Sequence, residues 1–255
     1  MSILLNGDCL ELLDTIDDNS VDLIYCDLPY ATAKFGKCVS CEWDKPIDLD
    51  KLWDKLMKKK KINTPIFMSC NVKLGYELIR TAPKKCPFRY DIIHVKSQAS
   101  SFLLSKKMPM RKHELIYVFY EKLPFYDLSS HTHKFNKEEV NEKYTYKQDK
   151  KDTYGTDIRK EVRKGKDVGK SSVYDPPLPN SILEVKSTRG KHSTEKPVEL
   201  IKWLLKYYSK EGDIVLDPTM GSGSSGVACK EMKRDFIGIE MNPEIYEVAI
   251  NRIEV

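Results

Sequence analysis

The sequence predicts an α/β protein with one open sheet and a single inserted element. Apolar strand-like runs alternate with helix-like segments along most of the 255 residues. Residues 213–240 show the pattern strand, glycine-rich turn, helix, strand, which is the layout of a nucleoside-binding βαβ unit. That unit lies at the C-terminal end of the chain, so the other parallel strands must come from the N-terminal side.

The N-terminal elements follow from short apolar runs. The first predicted strand is 3–8, which ends at an acid, and the Leu and Ile residues within 10–16 have helical spacing. The polar, turn-like segment 17–20 introduces a second strand at 21–26. After a loop through about residue 45, the pattern at 49–57 is that of an amphipathic helix.

The central segment continues the alternation. A strand is predicted at 64–70, a helix at 73–81, and further strands at 90–95 and 114–120. The last of these is rich in aromatic and β-branched residues, which have high strand propensity. Residues 121–185 are polar, charged and turn-rich, and we therefore treat them as an insertion into the sheet domain.

Periodicity returns in the C-terminal segment. Residues 197–205 predict an amphipathic helix with a proline in its first turn. The apolar run 213–216 predicts a buried strand, 227–232 a helix, and 236–240 a strand that ends at a carboxylate.

Composition excludes several classes of protein. No run of about 18 apolar residues is present, so no transmembrane helix is expected. The first residues carry no basic region of the kind that begins a secretory signal. Seven cysteines, an odd number scattered through apolar runs, fit a reducing compartment. We therefore expect a cytoplasmic protein, in the cytoplasm of a bacterium or of the host of a phage or virus.

The charge distribution is more informative than the net charge of +5. Residues 131–170 contain 12 Lys and Arg and 8 Asp and Glu, within the polar insertion. Such a segment is either a solvated loop or a surface that contacts phosphates. A second cluster, Lys58–Lys61, is more typical of a solvated helix end.

The tetrapeptide Asp27-Leu28-Pro29-Tyr30 follows the predicted strand 21–26. A carboxylate beside a backbone carbonyl offers two acceptors, the proline stiffens the turn, and the tyrosine ring offers a flat face. This combination suits an exocyclic amino group on a flat heterocycle, whose nitrogen becomes more nucleophilic when both hydrogens are bound. A base in a duplex must first leave its helix to reach such a site. By itself the tetrapeptide is a weak signal, because such a sequence more commonly forms a surface turn after a strand.

The glycine turn follows a carboxylate, Asp217, at the end of its strand. Gly221, Gly223 and Gly226 satisfy G-x-G-x-x-G, which in dinucleotide enzymes lies against a pyrophosphate. An acid next to the turn disfavours an anionic ligand and favours one with an ammonium group. S-adenosylmethionine has an ammonium group. It also has a ribose whose hydroxyls could donate hydrogen bonds to Glu240.

Taken together, these motifs resemble those of the amino-directed DNA methyltransferases that modify adenine N6 or cytosine N4. The order, catalytic motif first and cofactor motif last, is similar to that of the β group of the family. Five segments carry the resemblance: Asn6-Gly7-Asp8-Cys9-Leu10, Asp27–Tyr30, His192-Ser193-Thr194-Glu195-Lys196-Pro197, Val215–Gly223 and Ile237-Gly238-Ile239-Glu240.

The resemblance implies a Rossmann-like methyltransferase fold with permuted motif order, and S-adenosylmethionine as cofactor. It implies a catalytic motif made of Asp27, Leu28, Pro29 and Tyr30. The implied cofactor-binding residues are Asp8, Cys9, Lys196, Pro197, Asp217, Thr219, Gly221, Ser222, Gly223, Glu240 and Asn242. No metal is expected for methyl transfer.

The sequence departs from the family pattern in three places. Leu28 replaces the first proline of the catalytic motif, but the group required there is a backbone carbonyl, so we expect activity to survive. Thr219-Met220 and Ser224-Ser225 replace the usual residues of the cofactor motif. We expect these replacements to change only the affinity for the cofactor. An aspartate at position 27 is more typical of the adenine enzymes, and the sequence therefore favours adenine.

The resemblance also implies domains and partners. Residues 1–120 and 186–255 would form the catalytic domain, and 121–185 an inserted, basic target-recognition region for double-stranded DNA. A homodimer and a cognate restriction endonuclease stay open as partners, and no membrane association is expected. Lys34, Phe35 and Lys37 would lie in a mobile loop near the flipped base.

Several alternatives stay open at this point. A cytosine-N4 methyltransferase would share every motif. An NAD-dependent oxidoreductase would bind NAD at the glycine turn instead of S-adenosylmethionine. An inactive module would bind DNA without methylating it. Cys38-Val39-Ser40-Cys41 lacks a second metal-binding pair. His113-Glu114 is expected to be structural, and Lys96 to line the cleft.

Overall fold

The computed structural model describes residues 1–30, 46–100, 102–134, 173–185 and 195–254. Several predictions fall outside these ranges: the loop at 31–45 with Lys34, Phe35, Lys37, Cys38 and Cys41, most of the basic segment 131–170, and His192–Thr194.

The described residues form ten strands and six α-helices. The strands are β1 Ser2–Asn6, β2 Leu23–Asp27, β3 Ile66–Cys70, β4 Phe88–Ser100, β5 Arg111–Phe119, β6 Thr132–Lys134, β7 Val173–Asp175, β8 Ile182–Glu184, β9 Ile214–Asp217 and β10 Asp235–Glu240. The helices are α1 Cys9–Leu12, α2 Leu49–Lys59, α3 Val72–Thr81, α4 Val198–Tyr208, α5 Ser224–Glu231 and α6 Pro243–Glu254. Short 3₁₀ helices lie at Leu13–Thr15 and Phe102–Leu104.

Eight strands form one sheet in the order β1-β10-β9-β2-β3-β5-β4-β8. The pairs from β1 to β3 are parallel, β5 is antiparallel to both β3 and β4, and β8 is parallel to β4. The C-terminal strands β10 and β9 therefore lie between the N-terminal strands β1 and β2 in one sheet, and the predicted α/β fold class is confirmed.

The elements differ from the prediction mainly in their bounds. β4 extends to Ser100 and pairs with β5 in a long hairpin, beyond the apolar run that predicted it. Helix α5 begins at Ser224, three residues before the predicted start, because Gly223 adopts a left-handed conformation (φ 85°) and ends the turn there. Helix α6 and the short strands β6, β7 and β8 were not predicted.

Contacts divide the chain into two compact units, residues 1–127 with 180–255 and residues 128–179. The first contains the eight-stranded sheet. In the second, β6 and β7 pair in an antiparallel ladder, and His131 Nδ1 lies 2.8 Å from the carbonyl oxygen of Pro176. The role of residues 121–185 in target recognition stays a prediction.

Side-chain caps and apolar faces fix the helices on the sheet. Asp48 accepts a hydrogen bond from Lys51 N at the start of α2, and Asn71 accepts one from Leu74 N at the start of α3. The inner face of α2 buries Trp53, whose ring lies 5.1 Å from that of Phe119 on β5. The β-branched and aromatic residues Ile24, Ile66 and Phe67 of the central strands are buried.

None of the helices within the described ranges combines the length and the apolar character needed to cross a membrane.

Replacing Trp53 with Ala should lower the free energy of unfolding by about 3–5 kcal/mol, since it removes a fully buried ring that contacts Phe119. It also leaves Thr81 Oγ1 without the indole N–H that donates to it at 3.1 Å. Urea denaturation followed by circular dichroism measures the change. Tyr76→Ala, at a side chain that is 63% exposed, is the control and should change the free energy by less than about 1 kcal/mol. Equal effects of the two substitutions would contradict this packing.

Candidate active site

The predicted site residues lie at one edge of the sheet. Asp27, Asp217 and Glu240 are the last residues of β2, β9 and β10, which run parallel in neighbouring positions. Asp8 and Cys9 follow β1, whose Asn6 is in register with Glu240. The carboxyl ends of parallel strands form the ligand-binding edge of open α/β sheets. The structure thus brings the N-terminal and C-terminal motifs to the same place.

Asp27 forms the centre of the predicted catalytic motif. Its carboxylate is three-quarters buried and accepts hydrogen bonds at Oδ1 from the Tyr30 hydroxyl at 3.4 Å and from Lys196 Nζ at 3.0 Å. Burial raises the pKa of Asp27, and the charge of Lys196 opposes that rise. Leu28 is buried, and Pro29 and Tyr30 are half-buried. The structure thus places the carboxylate close to the tyrosine, the two side chains that the sequence combined in one predicted motif.

Lys196 is placed against the catalytic motif. Its ammonium lies 3.0 Å from Asp27, 3.1 Å from Glu114 Oε2 and 3.2 Å from the Tyr30 hydroxyl. Burial alone would lower the pKa of Lys196, but Asp27, Tyr30 and Glu114 outweigh it and hold the pKa well above its ordinary value. The family resemblance assigned this lysine to the cofactor, whereas in the structure it contacts Asp27 and Tyr30 of the predicted catalytic motif.

Glu114 was expected to be structural, and it lies instead in this charged cluster. The register of β3 with β5 places Leu115 opposite Cys70, so Glu114 lies just past the end of β3. Burial raises its pKa, but Lys196 and Lys96 outweigh that effect and the pKa is lowered overall. The sequence signal was weak: one carboxylate at the start of an otherwise apolar strand. Only the antiparallel return of β5 brings it to Lys196.

Lys96, which the sequence placed in the cleft, lies at the margin of the cluster. Its ammonium is 3.5 Å from Glu114 Oε1 and donates to the Ser100 hydroxyl at 3.2 Å. Two lysines thus face two carboxylates, Asp27 and Glu114, and the cluster is balanced in charge.

Asp217 is almost fully buried at the end of β9. Its Oδ1 accepts from Thr219 N at 3.0 Å, and its Oδ2 accepts from the Ser225 hydroxyl at 2.6 Å. Burial raises its pKa to about 7, although both hydrogen bonds act in the opposite direction. Because no cation among the described residues pairs with it, this carboxylate suits a ligand that brings a positive charge.

The glycine turn is held by Glu240. One carboxylate oxygen accepts from Gly221 N at 3.1 Å and the other from Asn242 N at 2.8 Å. Gly221 and Gly223 have φ angles of 53° and 85°, in the left-handed region that favours glycine. The turn therefore depends on glycine for its backbone and on Glu240 for its position. Asn242 in turn accepts two backbone N–H groups at the start of α6.

Arg252 on α6 was not predicted as a site residue. Its guanidinium donates to the Ser222 carbonyl at 2.6 Å and to the Ser222 hydroxyl at 2.8 Å, and it pairs with Glu195 at 2.5 Å. Ser224 also donates to Glu195, at 3.3 Å. These contacts tie the turn to the segment that carries Lys196 and Pro197, which precedes α4. A lone arginine in a C-terminal helix gives no sequence signal of such a role.

The donor and acceptor groups at this edge fit S-adenosylmethionine. Among the described residues, the hydroxyl of Thr219 is buried beside the turn with no hydrogen-bond partner. Glu240 keeps acceptor capacity for ribose hydroxyls beyond its two backbone N–H groups. Cys9, buried below this edge, has its pKa raised by burial and is a neutral thiol.

No metal-binding group of three or more His, Cys, Asp or Glu side chains occurs in the described part of the chain. Cys38 and Cys41 lie outside that part.

The permuted motif order on a Rossmann-like sheet, with an acid–Pro–Tyr motif beside a glycine turn, defines the class of amino-directed methyltransferases. Residues 21–251 match the family model described as DNA methylase, of the N6/N4 methyltransferase type. The chain therefore belongs to the N6/N4 DNA methylase family.

Individual relatives agree with that family. The chain is 27% identical over 261 residues to Type II methyltransferase M2.DpnII of Streptococcus pneumoniae, covering 99% of this chain and 89% of the relative. Its fold is similar to the solved M1.HpyAVI-SAM complex, with a TM-score of 0.61, 22% identity, and coverage of 99% and 100% of the two chains. It is also similar to the PvuII cytosine-N4-specific DNA methyltransferase, with a TM-score of 0.64, 14% identity, and coverage of 98% and 86%.

Membership of this family makes the chain a DNA methyltransferase that uses S-adenosylmethionine, and DNA is its substrate. The alternative of an NAD-dependent oxidoreductase is therefore not retained.

The raised pKa of Asp217 predicts a pH dependence of stability. Its pKa is about 7 when folded and about 4 in an unfolded chain, so between these values the folded state holds the extra proton. The free energy of unfolding contributed by this group therefore falls as pH rises from about 4 through 7. Asp217→Asn, which does not titrate, should gain stability relative to the natural protein between pH 5 and pH 8. Urea denaturation of both proteins at the two pH values measures this, and a constant difference would contradict it.

Proposed function

We propose that this protein is a site-specific DNA methyltransferase that transfers the methyl group of S-adenosylmethionine to the exocyclic N6 of a flipped adenine. The observation that supports it is the location of Asp27. This carboxylate, three-quarters buried, lies at the end of β2, whose Ile24 is in register with Leu216 of β9, one residue before Asp217. The acid proposed to bind the base and the acid proposed to bind the cofactor are thus on neighbouring strands.

In this proposal the catalytic motif binds the amino group of the base. Asp27 and the carbonyl of Leu28 would accept hydrogen bonds from its two N–H groups, Pro29 would fix the turn, and Tyr30 would stack on the base. These hydrogen bonds draw the nitrogen lone pair out of the aromatic system and towards the methyl group. Methyl transfer to the nitrogen would release one of its protons, and Asp27 would accept that proton.

The cofactor would supply an electrophilic methyl group on a sulfonium, and the chain would hold it in line with the amine. Asp217 would face its ammonium group and Glu240 its ribose. The remaining residues proposed to line it are Asp8, Cys9, Pro197, Thr219, Gly221, Ser222, Gly223 and Asn242, with Lys196 on the base-binding side.

The choice of adenine rests on the aspartate at position 27, which is more typical of adenine enzymes in the family. Target recognition is proposed for the basic insertion at 121–185, because a basic, polar segment suits contact with phosphates and base edges. A homodimer and a cognate restriction endonuclease are further proposals. The cognate restriction endonuclease is favoured by the similarity to M2.DpnII, which is named a Type II methyltransferase.

Nucleoside mass spectrometry tests the proposal. Unmethylated genomic DNA is incubated with the protein and methyl-labelled S-adenosylmethionine, then digested to nucleosides. Labelled N6-methyl-2′-deoxyadenosine is the expected product. Labelled N4-methylcytosine would overturn the choice of base, and no labelled nucleoside would favour the inactive DNA-binding module.

Two substitutions of Tyr30 separate its ring from its hydroxyl. Tyr30→Ala should lower kcat/KM for methyl transfer by about 10- to 100-fold, since base–aromatic stacking contributes about 1–3 kcal/mol. Tyr30→Phe keeps the ring and removes only the hydroxyl that meets Asp27 and Lys196, so its rate should stay within a few-fold of the natural protein. Label transfer to genomic DNA measures both. If Phe were as damaging as Ala, stacking would not be the main role of the ring.

Replacing Lys196 with Met should move the acid limb of the pH–rate profile to higher pH. Lys196 opposes the burial of Asp27, so its removal raises the pKa of Asp27 further, and the protonated acid is a poorer acceptor. Methyl transfer measured from pH 5.5 to 9 checks this. Lys202→Met, at a lysine on α4 that pairs with Glu199 and Glu231, is the control and should leave the limb in place. An unchanged profile in Lys196→Met would show that this lysine does not set the charge of Asp27.

A further inference from the structure

The tip of the β4–β5 hairpin exposes apolar side chains in an ordered turn. Leu103 is 96% exposed and Phe102 75%, and Met108 and Met110 are about half exposed. The backbone is nevertheless held by hydrogen bonds from Ser105 N to the Phe102 carbonyl and from Met108 N to the Leu104 carbonyl, each 3.0 Å. A structured protrusion that presents large apolar side chains to solvent is a feature of interaction surfaces.

Basic side chains surround this apolar tip. Lys106, Lys107, Arg111 and Lys112 are all exposed. No Asp or Glu occurs between residues 92 and 113 of the sequence. The tip therefore combines exposed apolar side chains (the apolar point) with four positively charged side chains (the charged rim). This combination suits a polyanion that has flat apolar surfaces between its negative charges. A second copy of this chain is disfavoured as the occupant, because it would bring like charges together.

The hairpin extends from the edge of the sheet that carries the catalytic motif. β5 runs antiparallel to β3, so its first residues lie at the same edge as Asp27. The ion pairs of Lys196 with Asp27 and Glu114 join the base of the hairpin to the catalytic motif. Met110 precedes Glu114 by four positions, which at about 3.3 Å per residue places the tip roughly 13 Å beyond that carboxylate.

We propose that this hairpin tip, residues 102–112, is a DNA-contacting wedge. Lys106, Lys107, Arg111 and Lys112 would contact backbone phosphates beside the target base. Leu103 and Phe102 would enter the base stack where the target base leaves it. Some DNA-binding proteins insert apolar side chains between base steps, and a flipped base leaves a gap in the stack that such a side chain can enter. The proposal requires duplex DNA as substrate and does not depend on which base is methylated.

The charged rim is tested by the salt dependence of DNA binding. A fluorescein-labelled 30-base-pair duplex of mixed sequence is the probe, and anisotropy gives the dissociation constant from 50 to 300 mM KCl. The double variant Lys106→Gln, Lys107→Gln should lower the slope of log K against log salt by about 1.8, because each neutralised phosphate contributes ~0.9 to that slope. The control is Lys84→Gln, Lys85→Gln, an adjacent exposed pair just before β4, at the opposite edge of the sheet. It should leave the slope unchanged.

The apolar point is tested by single-turnover methylation of unmethylated genomic DNA. Leu103→Ala should slow methyl transfer by about tenfold, because the shortened side chain no longer fills the gap that the extruded base leaves. Leu123→Ala is the matched control, at a leucine that is 76% exposed after the end of β5. Binding of S-adenosylhomocysteine, measured by calorimetry, should be the same for all four variants, which shows that each is folded.

Each of three results would overturn the proposal: an unchanged salt slope for the Lys106, Lys107 variant, a Leu103→Ala rate equal to that of Leu123→Ala, or no binding of the duplex by the natural protein. A concentration-dependent change in molecular mass that Leu103→Ala abolishes would assign the tip to self-association instead.

Discussion

The pairing of β2 with β9 is the constraint on which the site depends. These strands come from opposite ends of the chain, and their parallel register places Asp27 and Asp217 at one edge. Because side chains alternate between the faces of a strand, a shift of one residue would reverse which of them point into the core. The buried residues Ile24 and Leu216 therefore fix the register and, with it, the position of the two acids.

Charged side chains from three segments that are distant in the sequence lie close together at this edge. Lys196 lies between Asp27 on β2 and Glu114 on β5, and the ion pairs compensate groups that would be costly to bury alone. Asp217 differs, because its burial is balanced by hydrogen bonds and by no cation among the described residues. Burial thus affects two carboxylates of one site in different ways: one is paired within the protein, and the other suits a positively charged ligand.

The glycine turn is positioned as much by its surroundings as by its own residues. Glu240 binds the backbone of the turn from β10, and Arg252 binds it from α6 through Ser222. The pair between Arg252 and Glu195 extends this support to the start of α4. A methyl donor held by these groups would therefore face residues whose positions are set by three different elements, which favours the in-line geometry that methyl transfer requires.

The sequence by itself determined the class of fold and the two motifs. Apolar runs that end at Asp27, Asp217 and Glu240 predicted strands at those places, since a buried strand needs a continuous apolar run and a turn needs glycine or proline. Only the tertiary structure decided that Glu114 joins the site, because its neighbours there come from strand pairing and not from sequence spacing. The same holds for Arg252, the contacts of Lys196 and the hairpin at residues 102–112. Ion pairs between distant segments leave no periodic pattern in a sequence, whereas burial of a strand or helix does.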